Sequence, residues 1–358
     1  MKGLVLSGGY GTRLRPLTHT GPKQLIPIAN KPNIQYCIED LRNAGITEIG
    51  IILGNVMPEK VQEFLGDGSK FGARFTYIVQ GEPKGIAHAV NCAKEFMGGD
   101  SFIVYLGDNL LKNGIGPIPQ KMKDENADCV ISLMPVKEPQ RYGIAELSPD
   151  GKDVLRTVEK PKEPKSNLAV IGVYAFNPTF FEVYPKLKPS WRNEMEITDA
   201  ISLLINDGYK VIPHHVEGWW KDTGKPEDIL EANHLILDGI EGRNDGKVED
   251  GATIVGRVKI GAGTVVMGRS VIRGPAIVGE NCRIGPNAYI GPYTAVGDRC
   301  QISAAEIEDT IVMDGSTINV ERKFVRSMIG KESKILSSSG LLPKGERLVV
   351  GENTTIYL

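Results

Sequence analysis

Histidine, cysteine and tryptophan are scarce: five, five and three among 358 residues. The cysteines (Cys37, Cys92, Cys129, Cys282 and Cys300) are odd in number, scattered, and nowhere spaced as CxxC. That argues against a thiolate metal cluster and against a disulfide framework, and reduced cytosolic thiols are expected. Lysine and arginine never gather into a basic block, and the formal net charge is −2. A nucleic-acid groove needs such a block. No apolar run reaches membrane-spanning length, and no basic leader with a long apolar stretch opens the chain. The expectation is a soluble, cytoplasmic protein with neither nucleic acid nor membrane as partner. Apolar residues make up 41% and charged residues 24%, which suits a globular protein with a sizeable core, and the length favours two domains.

What is present begins at once. Residues 2 to 18 read KGLVLSGGYGTRLRPLT, and Lys23 follows. A short apolar run, Gly3 to Leu6, breaks into Gly8, Gly9 and Gly11 and then into Arg13 and Arg15. This is the layout of a buried strand feeding an anion site lined by backbone N–H groups, which glycine lets a polyphosphate approach closely. Arg13 and Lys23 can neutralise charge on a leaving pyrophosphate. A dinucleotide GxGxxG loop is excluded because Leu14 stands where its third glycine would be, and the strand around Ile51 carries no terminal acid. A P-loop is excluded because GK[ST] is missing. What remains is a nucleotide loop of another kind, or a tight turn with surface arginines.

Further along, strands are expected at 48–53, 75–79 and 102–106, and helices at 33–44, 58–65 and 86–96. Gly45 is placed to cap the first of these helices. Alternating strands and helices imply a doubly wound, mostly parallel sheet, whose ligands bind outside the carboxyl ends of the strands. From Ala127 to about Val216 the pattern is more mixed, with strands at 129–134, 144–147, 154–159 and 169–176 and a helix at 196–206. A helix from Pro226 to about Leu237 closes the domain at residue 240.

After Gly246 a β-branched residue recurs every six positions from Val248 through Ile254, Ile260 and Val266 to Ile302. Hexapeptide repeats of this kind mean a parallel β-helix over 247–336, three hexads to a coil with the periodic residue inward. The period is read as continuing at Val312, Ile318 and Phe324 and slipping to Ile329 and Ile335, with 337–358 as a tail or cap.

Asp108 and Asp222 each end an apolar or aromatic run. Two strand-end carboxylates suit a Mg²⁺ bound to phosphate oxygens, although a turn role would explain either alone. Lys160, at the end of another strand, could hold a second phosphate as a point charge, or be a solvated surface lysine.

These residues resemble a known family. Gly8 to Pro16 with Pro22-Lys23-Gln24-Leu25 is similar to the sugar-1-phosphate nucleotidylyltransferases, and Lys-Gln-Leu looks like their thymidylyltransferase branch. The resemblance runs through Val79-Gln80, Pro83-Lys84-Gly85, Leu106-Gly107-Asp108-Asn109, Arg141-Tyr142-Gly143, Glu159-Lys160-Pro161, Gly172-Val173-Tyr174, Glu194 to Asp199, and Trp220 to Gly224, covering residues 1 to about 237 in order. The repeats resemble the left-handed β-helix of the longer thymidylyltransferases.

The resemblance implies substrates, dTTP and glucose 1-phosphate, and an assembly, a homo-oligomer. It implies that Arg13 and Lys23 bind and activate the triphosphate, and that Gln80 and Gly85 read the pyrimidine. Leu6, Gly8, Gly9, Gly11 and Thr12 would line the nucleotide, as would Gln24, Pro83, Gly107 and Asp108. Lys160 would hold the sugar phosphate, with Tyr142, Gly143, Glu159, Gly172, Tyr174 and Asp222 around the sugar. Asp108 and Asp222 would bind Mg²⁺. Two departures from the branch are His88, where glutamine is usual, and Tyr10, where a small residue is usual and which is expected to point outward.

UTP-using relatives share the loop and both aspartates. In bifunctional relatives the β-helix is an acetyltransferase, a chemistry that typically needs a histidine base there. All five histidines (His19, His88, His214, His215 and His234) precede the repeats, so the β-helix is read as structural or assembly-forming. A scaffold subunit with a dead transferase domain would have lost Arg13, Lys23, Asp108 or Asp222, and none is lost.

Overall fold

Leu4 and Leu6 pack into the hydrophobic cluster on one side of the opening strand and Val5 into the cluster on the other, because successive side chains of a strand face opposite ways. The computed structural model describes residues 1–337 of the chain, so the tail expected at 337–358 lies outside the described residues except for Ser337. The chain forms two compact units that interleave in sequence. One comprises Met1–Gly11, Thr20–Leu25 and Asn33–Asp222; the other comprises Thr12–His19, Ile26–Pro32 and the chain from Thr223 onward.

The first unit is built on a nine-stranded mixed sheet. Phe102–Leu106, Lys2–Ser7, Glu48–Leu53 and Arg74–Val79 are neighbours in that order and parallel. Leu168–Phe176 joins antiparallel beside Phe102–Leu106 and pairs antiparallel with Cys129–Pro135 and Gly143–Leu147, while Val211–His215 runs parallel to Cys129–Pro135. The helix Asn33–Asn43 seals one face through Ile34, Cys37, Ile38 and Leu41. The helices Ile86–Cys92 and Ile197–Asn206 seal the other through Ala87, Val90, Ala200, Ile201 and Leu204. Coverage of both faces explains why Gly3–Leu6, Ile49–Leu53 and Phe102–Leu106 read as unbroken apolar runs, whereas the edge strand Arg74–Val79 does not.

The helix expected at 86–96 is two pieces, Ile86–Cys92 and Lys94–Met97. Ala93 donates to Val90 O at 3.0 Å, an i−3 bond that tightens the turn and ends the first piece. Three further elements are Asn109–Leu111, the helix Pro117–Asp124 and the strand Val211–His215. Proline hides the last two, since Pro117 sits at a helix start where it is tolerated and Pro213 lies inside a strand pattern.

Within the second unit, three parallel sheets of six, six and five short strands form the left-handed parallel β-helix, each strand pairing with the third strand after it. Ile260, Val266, Ile272, Ile284, Ile290 and Val296 are fully buried in its interior, each burial stabilising by roughly 1.5–3 kcal/mol. The coil begins earlier than the apolar period does. Arg243–Asn244 pairs with Lys259–Ile260, with exposed Asn244 opposite Ile260, so hydropathy could not announce it.

The period also shortens sooner than the sequence suggests. Ile307 stands opposite Ile290, Val312 opposite Val296 and Ile318 opposite Ile302. The inward series therefore runs Ile302, Ile307, Val312: two five-residue steps where an unbroken period was expected. Buried hydroxyls satisfy backbone groups at the corners. Thr264 Oγ1 donates to Gly279 O at 2.7 Å and accepts from Cys282 N at 2.9 Å, as buried polar atoms require.

Candidate active site

Strand register sets the first unit's site. Ser7 pairs with Leu53 and Leu6 with Leu106, so the chain turns after those strands emerge side by side at the carboxyl edge. Gly107 N donates to Leu6 O at 3.0 Å, locking two of the turns together. Gln24, 1% exposed, donates its amide to Gly8 O at 2.9 Å. Among the described residues its Oε1 and the buried Ser7 Oγ have no hydrogen-bond partner. Buried polar atoms left so at a glycine loop are groups a ligand can satisfy.

Lys23 pairs directly with Asp108 at this edge. Burial pushes the Asp108 carboxyl up, but the Lys23 ammonium and the Asn109 amide, which donates to Asp108 Oδ1 at 3.0 Å, outweigh it and hold the group below its ordinary value. Asp222 stands opposite Asn109 in the antiparallel pairing of Trp220–Asp222 with Asn109–Leu111, which brings its backbone beside that of Asp108. Among the described residues no group of three or more histidine, cysteine, aspartate or glutamate side chains could hold a metal alone. Two carboxylates on neighbouring strand ends fit Mg²⁺, which takes one or two carboxylates and completes its shell with substrate phosphates and water.

At another part of the edge, Gln80 Nε2 lies 3.4 Å from Gly85 O and 3.4 Å from His88 Nδ1. Gly85 has φ +104°, and a Cβ there would meet Met195 O at 2.5 Å, so no other residue fits. Two loops and the helix Ile86–Cys92 are tied at this corner by Met195 N to Lys84 O at 2.7 Å and Ala87 N to Met195 O at 3.1 Å. Burial and then Lys84 hold the His88 imidazole below its ordinary value, which favours its neutral form. Pro83 is half-buried beside this turn, and Tyr10 is 51% exposed.

The expected sugar residues cluster on the antiparallel strands. Glu159 accepts from Thr198 Oγ1 at 3.3 Å and from Arg192 Nη1 at 3.4 Å, and lies 3.6 Å from Lys160 Nζ. Burial first, then the neighbouring Glu196 carboxylate, push its carboxyl above its ordinary value. Gly143 packs so tightly that a Cβ would meet Thr198 Cγ2 at 2.6 Å. Lys160 has φ +40° and donates its backbone N–H to Tyr142 O at 3.1 Å. The Tyr142 ring meets Trp220 edge-on at 5.5 Å, and Trp220 Nε1 donates to Asn109 Oδ1. Gly172 also lies against Asn109, and Tyr174, further along the same strand, is buried. A chain of contacts thus joins Asp108 to Tyr142 and Lys160.

Arg13 and Thr12 belong to the second unit. They form a 3-10 turn, Thr12–Leu14, and Arg13 lies over Gly224, where a Cβ would stand 2.8 Å from Arg13 Nη2. Asn109, Trp220, Arg192 and Thr198 carry contacts to which no sequence signal assigned a role. Three of them fall in quoted motifs, whereas Arg192 stands in a polar loop without any pattern.

A family model for nucleotidyl transferase matches residues 2–239, and one for the GMPPB C-terminal domain matches residues 272–357. The chain is 51% identical over its whole length, and the relative's, to a low-salt glycan biosynthesis nucleotidyltransferase of Haloferax volcanii. It is 43% identical to a glucose-1-phosphate thymidylyltransferase of Streptomyces antibioticus, covering 100% of this chain and 99% of that one. A crystal structure from Bacillus anthracis, described as a glucose-1-phosphate thymidylyltransferase in complex with a sucrose, superposes with TM-score 0.63 at 37% identity, covering 68% of this chain and 98% of its own.

Proposed function

This chain belongs to the nucleotidyl transferase family and is a sugar-1-phosphate nucleotidyltransferase, and from that premise we propose that it transfers a thymidylyl group from dTTP to glucose 1-phosphate. The observation that carries the reading is the Lys23–Asp108 pair at the carboxyl edge, beside a glycine loop pinned by Gln24. A phosphate oxygen of glucose 1-phosphate attacks the α-phosphorus of dTTP. The bond from that phosphorus to the bridging oxygen breaks, and pyrophosphate leaves opposite. The sugar phosphate is a dianion and needs no general base, so the work is positioning two anions and countering their charge.

Lys23 and Arg13 hold the triphosphate, Lys160 the sugar phosphate, and Glu159 and Gly143 the sugar. Asp108 and Asp222 would hold Mg²⁺, which when bound supplies countercharge to the phosphate oxygens. The thymidylyltransferase name of the Streptomyces relative supports thymine, and Gln80 is assigned to the pyrimidine edge by the family resemblance. UTP is the second reading: His88 sits 3.4 Å from Gln80 Nε2 and bears on base choice.

The test is a matrix of nucleoside triphosphates against sugar 1-phosphates read by pyrophosphate release, with acetyl-CoA in a parallel row. The dTTP–glucose 1-phosphate cell is expected to have the highest kcat/KM. A higher value for UTP, or for another sugar phosphate, overturns the assignment.

A further inference from the structure

Asn233 sits on the helix Pro226–Leu237 and is fully buried, yet both ends of its amide are used. Its Oδ1 accepts from Ala29 N at 2.9 Å, and its Nδ2 donates to Tyr293 O at 2.9 Å. One side chain therefore joins a helix, a coil of the β-helix, and the tip of a small hairpin, Pro27–Ile28 paired with Lys31–Pro32. Beside it Asn30 Nδ2 donates to Val296 O at 2.5 Å, a second bond from the hairpin tip to the β-helix.

The tip residues Ala29 and Asn30 have φ of 47° and 63°. Two consecutive left-handed residues are what a tight hairpin turn needs, but alanine adopts that conformation at a cost, so the surrounding bonds must hold it. The helix is clamped to this coil and the next by His234, which pairs with Asp309 and stacks on Tyr293 at 4.2 Å, and by Asp238, which accepts from Tyr293 Oη at 3.0 Å. The Thr12–His19 segment leans on the β-helix as well, with Leu17 Cδ2 3.5 Å from where a Cβ on Gly330 would be.

We propose that Asn233 is a positioning residue: through it the β-helix fixes the hairpin into which the Lys23-Gln24-Leu25 turn directly runs, and so holds the triphosphate-binding lysine in register. This rests on the reading of Lys23 as a triphosphate ligand. A purely architectural seam could be apolar. A buried amide satisfied by the backbones of two different segments instead specifies one geometry, since losing it orphans a buried N–H and a buried C=O.

The experiment uses the full chain with Asn233→Ala and Asn30→Gly. The second variant suits the left-handed backbone and removes only the bond to Val296. Thermal melts and size-exclusion establish folding, and KM and kcat are measured for dTTP, UTP and glucose 1-phosphate. Calorimetry gives triphosphate affinity without turnover. In folded variants, the KM and Kd for the triphosphate are expected to rise about tenfold, as losing a buried hydrogen bond predicts, while the KM for glucose 1-phosphate stays within about twofold. If Asn233→Ala does not fold, Asn30→Gly carries the test alone. Unchanged triphosphate constants overturn the proposal, and so does an equal loss for both substrates. A wild-type protein that releases no pyrophosphate from any triphosphate overturns the functional reading and the proposal with it.

Discussion

Trp220 Nε1 donates to Asn109 Oδ1 at 2.5 Å, and the other end of that amide donates to Asp108 Oδ1 at 3.0 Å. The indole thus fixes which way the Asn109 amide faces and leaves its N–H₂ for the carboxylate. Trp220→Phe keeps the ring against Tyr142 but frees the amide to flip. We expect kcat/KM to fall about tenfold, in line with roughly 1–1.5 kcal/mol for one hydrogen bond, with thermal stability nearly unchanged. Steady-state pyrophosphate release checks it, and an unchanged kcat/KM would show that Asn109 needs no orienting partner.

Asp108→Asn and Asp222→Asn test the metal carboxylates. Each should abolish Mg²⁺-dependent pyrophosphate release, since an amide neither neutralises a cation nor pairs with Lys23. Titrating Mg²⁺ into each variant and following turnover decides it. Near-normal turnover in both would remove the metal from these residues.

Glu159 governs a pH effect. Its folded carboxyl is raised by burial and by Glu196, so its stabilising contribution is full below the unfolded value of about 4.3 and is lost as pH rises through the folded one. Glu159→Gln removes that dependence. The urea midpoint of the variant relative to wild type should therefore be more favourable at pH 7 than at pH 4. A difference that stays flat, or reverses, would show that Arg192 and Lys160 dominate the carboxylate. Asp108, held low, has the opposite sign: its stability contribution is present above the unfolded aspartate value and lost as pH falls through the folded one.

The shortened period in the β-helix predicts a contrast between neighbours. Ile307 is fully buried, whereas Glu308 faces outward and pairs with Lys323 at 3.0 Å. Ile307→Ala should cost about 2–5 kcal/mol, and Glu308→Ala less than about 1 kcal/mol. Chemical denaturation of both variants checks the register. Equal costs would mean that the six-residue period continues through Glu308.

Much of this was legible in advance where one physical signal dominated. The strand Glu48–Leu53 and the helix Pro58–Leu65 lie where apolar runs and proline placement put them. The ten β-branched positions from Val248 to Ile302 marked the β-helix because each coil repeats the same inward requirement. The signal failed where hydropathy is silent: at Asn244, which is polar and exposed, and at Ile307, where two short steps mimic a skipped repeat. For the site, the glycine loop, Lys23 and Asp108 were visible as chemistry-bearing residues. Arg192 and Asn233 were not, because a polar residue in a loop or helix declares nothing until its partners, Glu159 or Ala29 and Tyr293, are brought to it by the fold.

The bond from Asn30 to Val296 spans 266 residues. A ribosome adding roughly 5–20 residues per second finishes residue 30 some 13–50 seconds before residue 296 exists. The hairpin that follows Lys23 is therefore made well before its partners in the β-helix. A nascent chain released early, or cut after residue 240, would carry the glycine loop and both aspartates but not the coil that receives the hairpin.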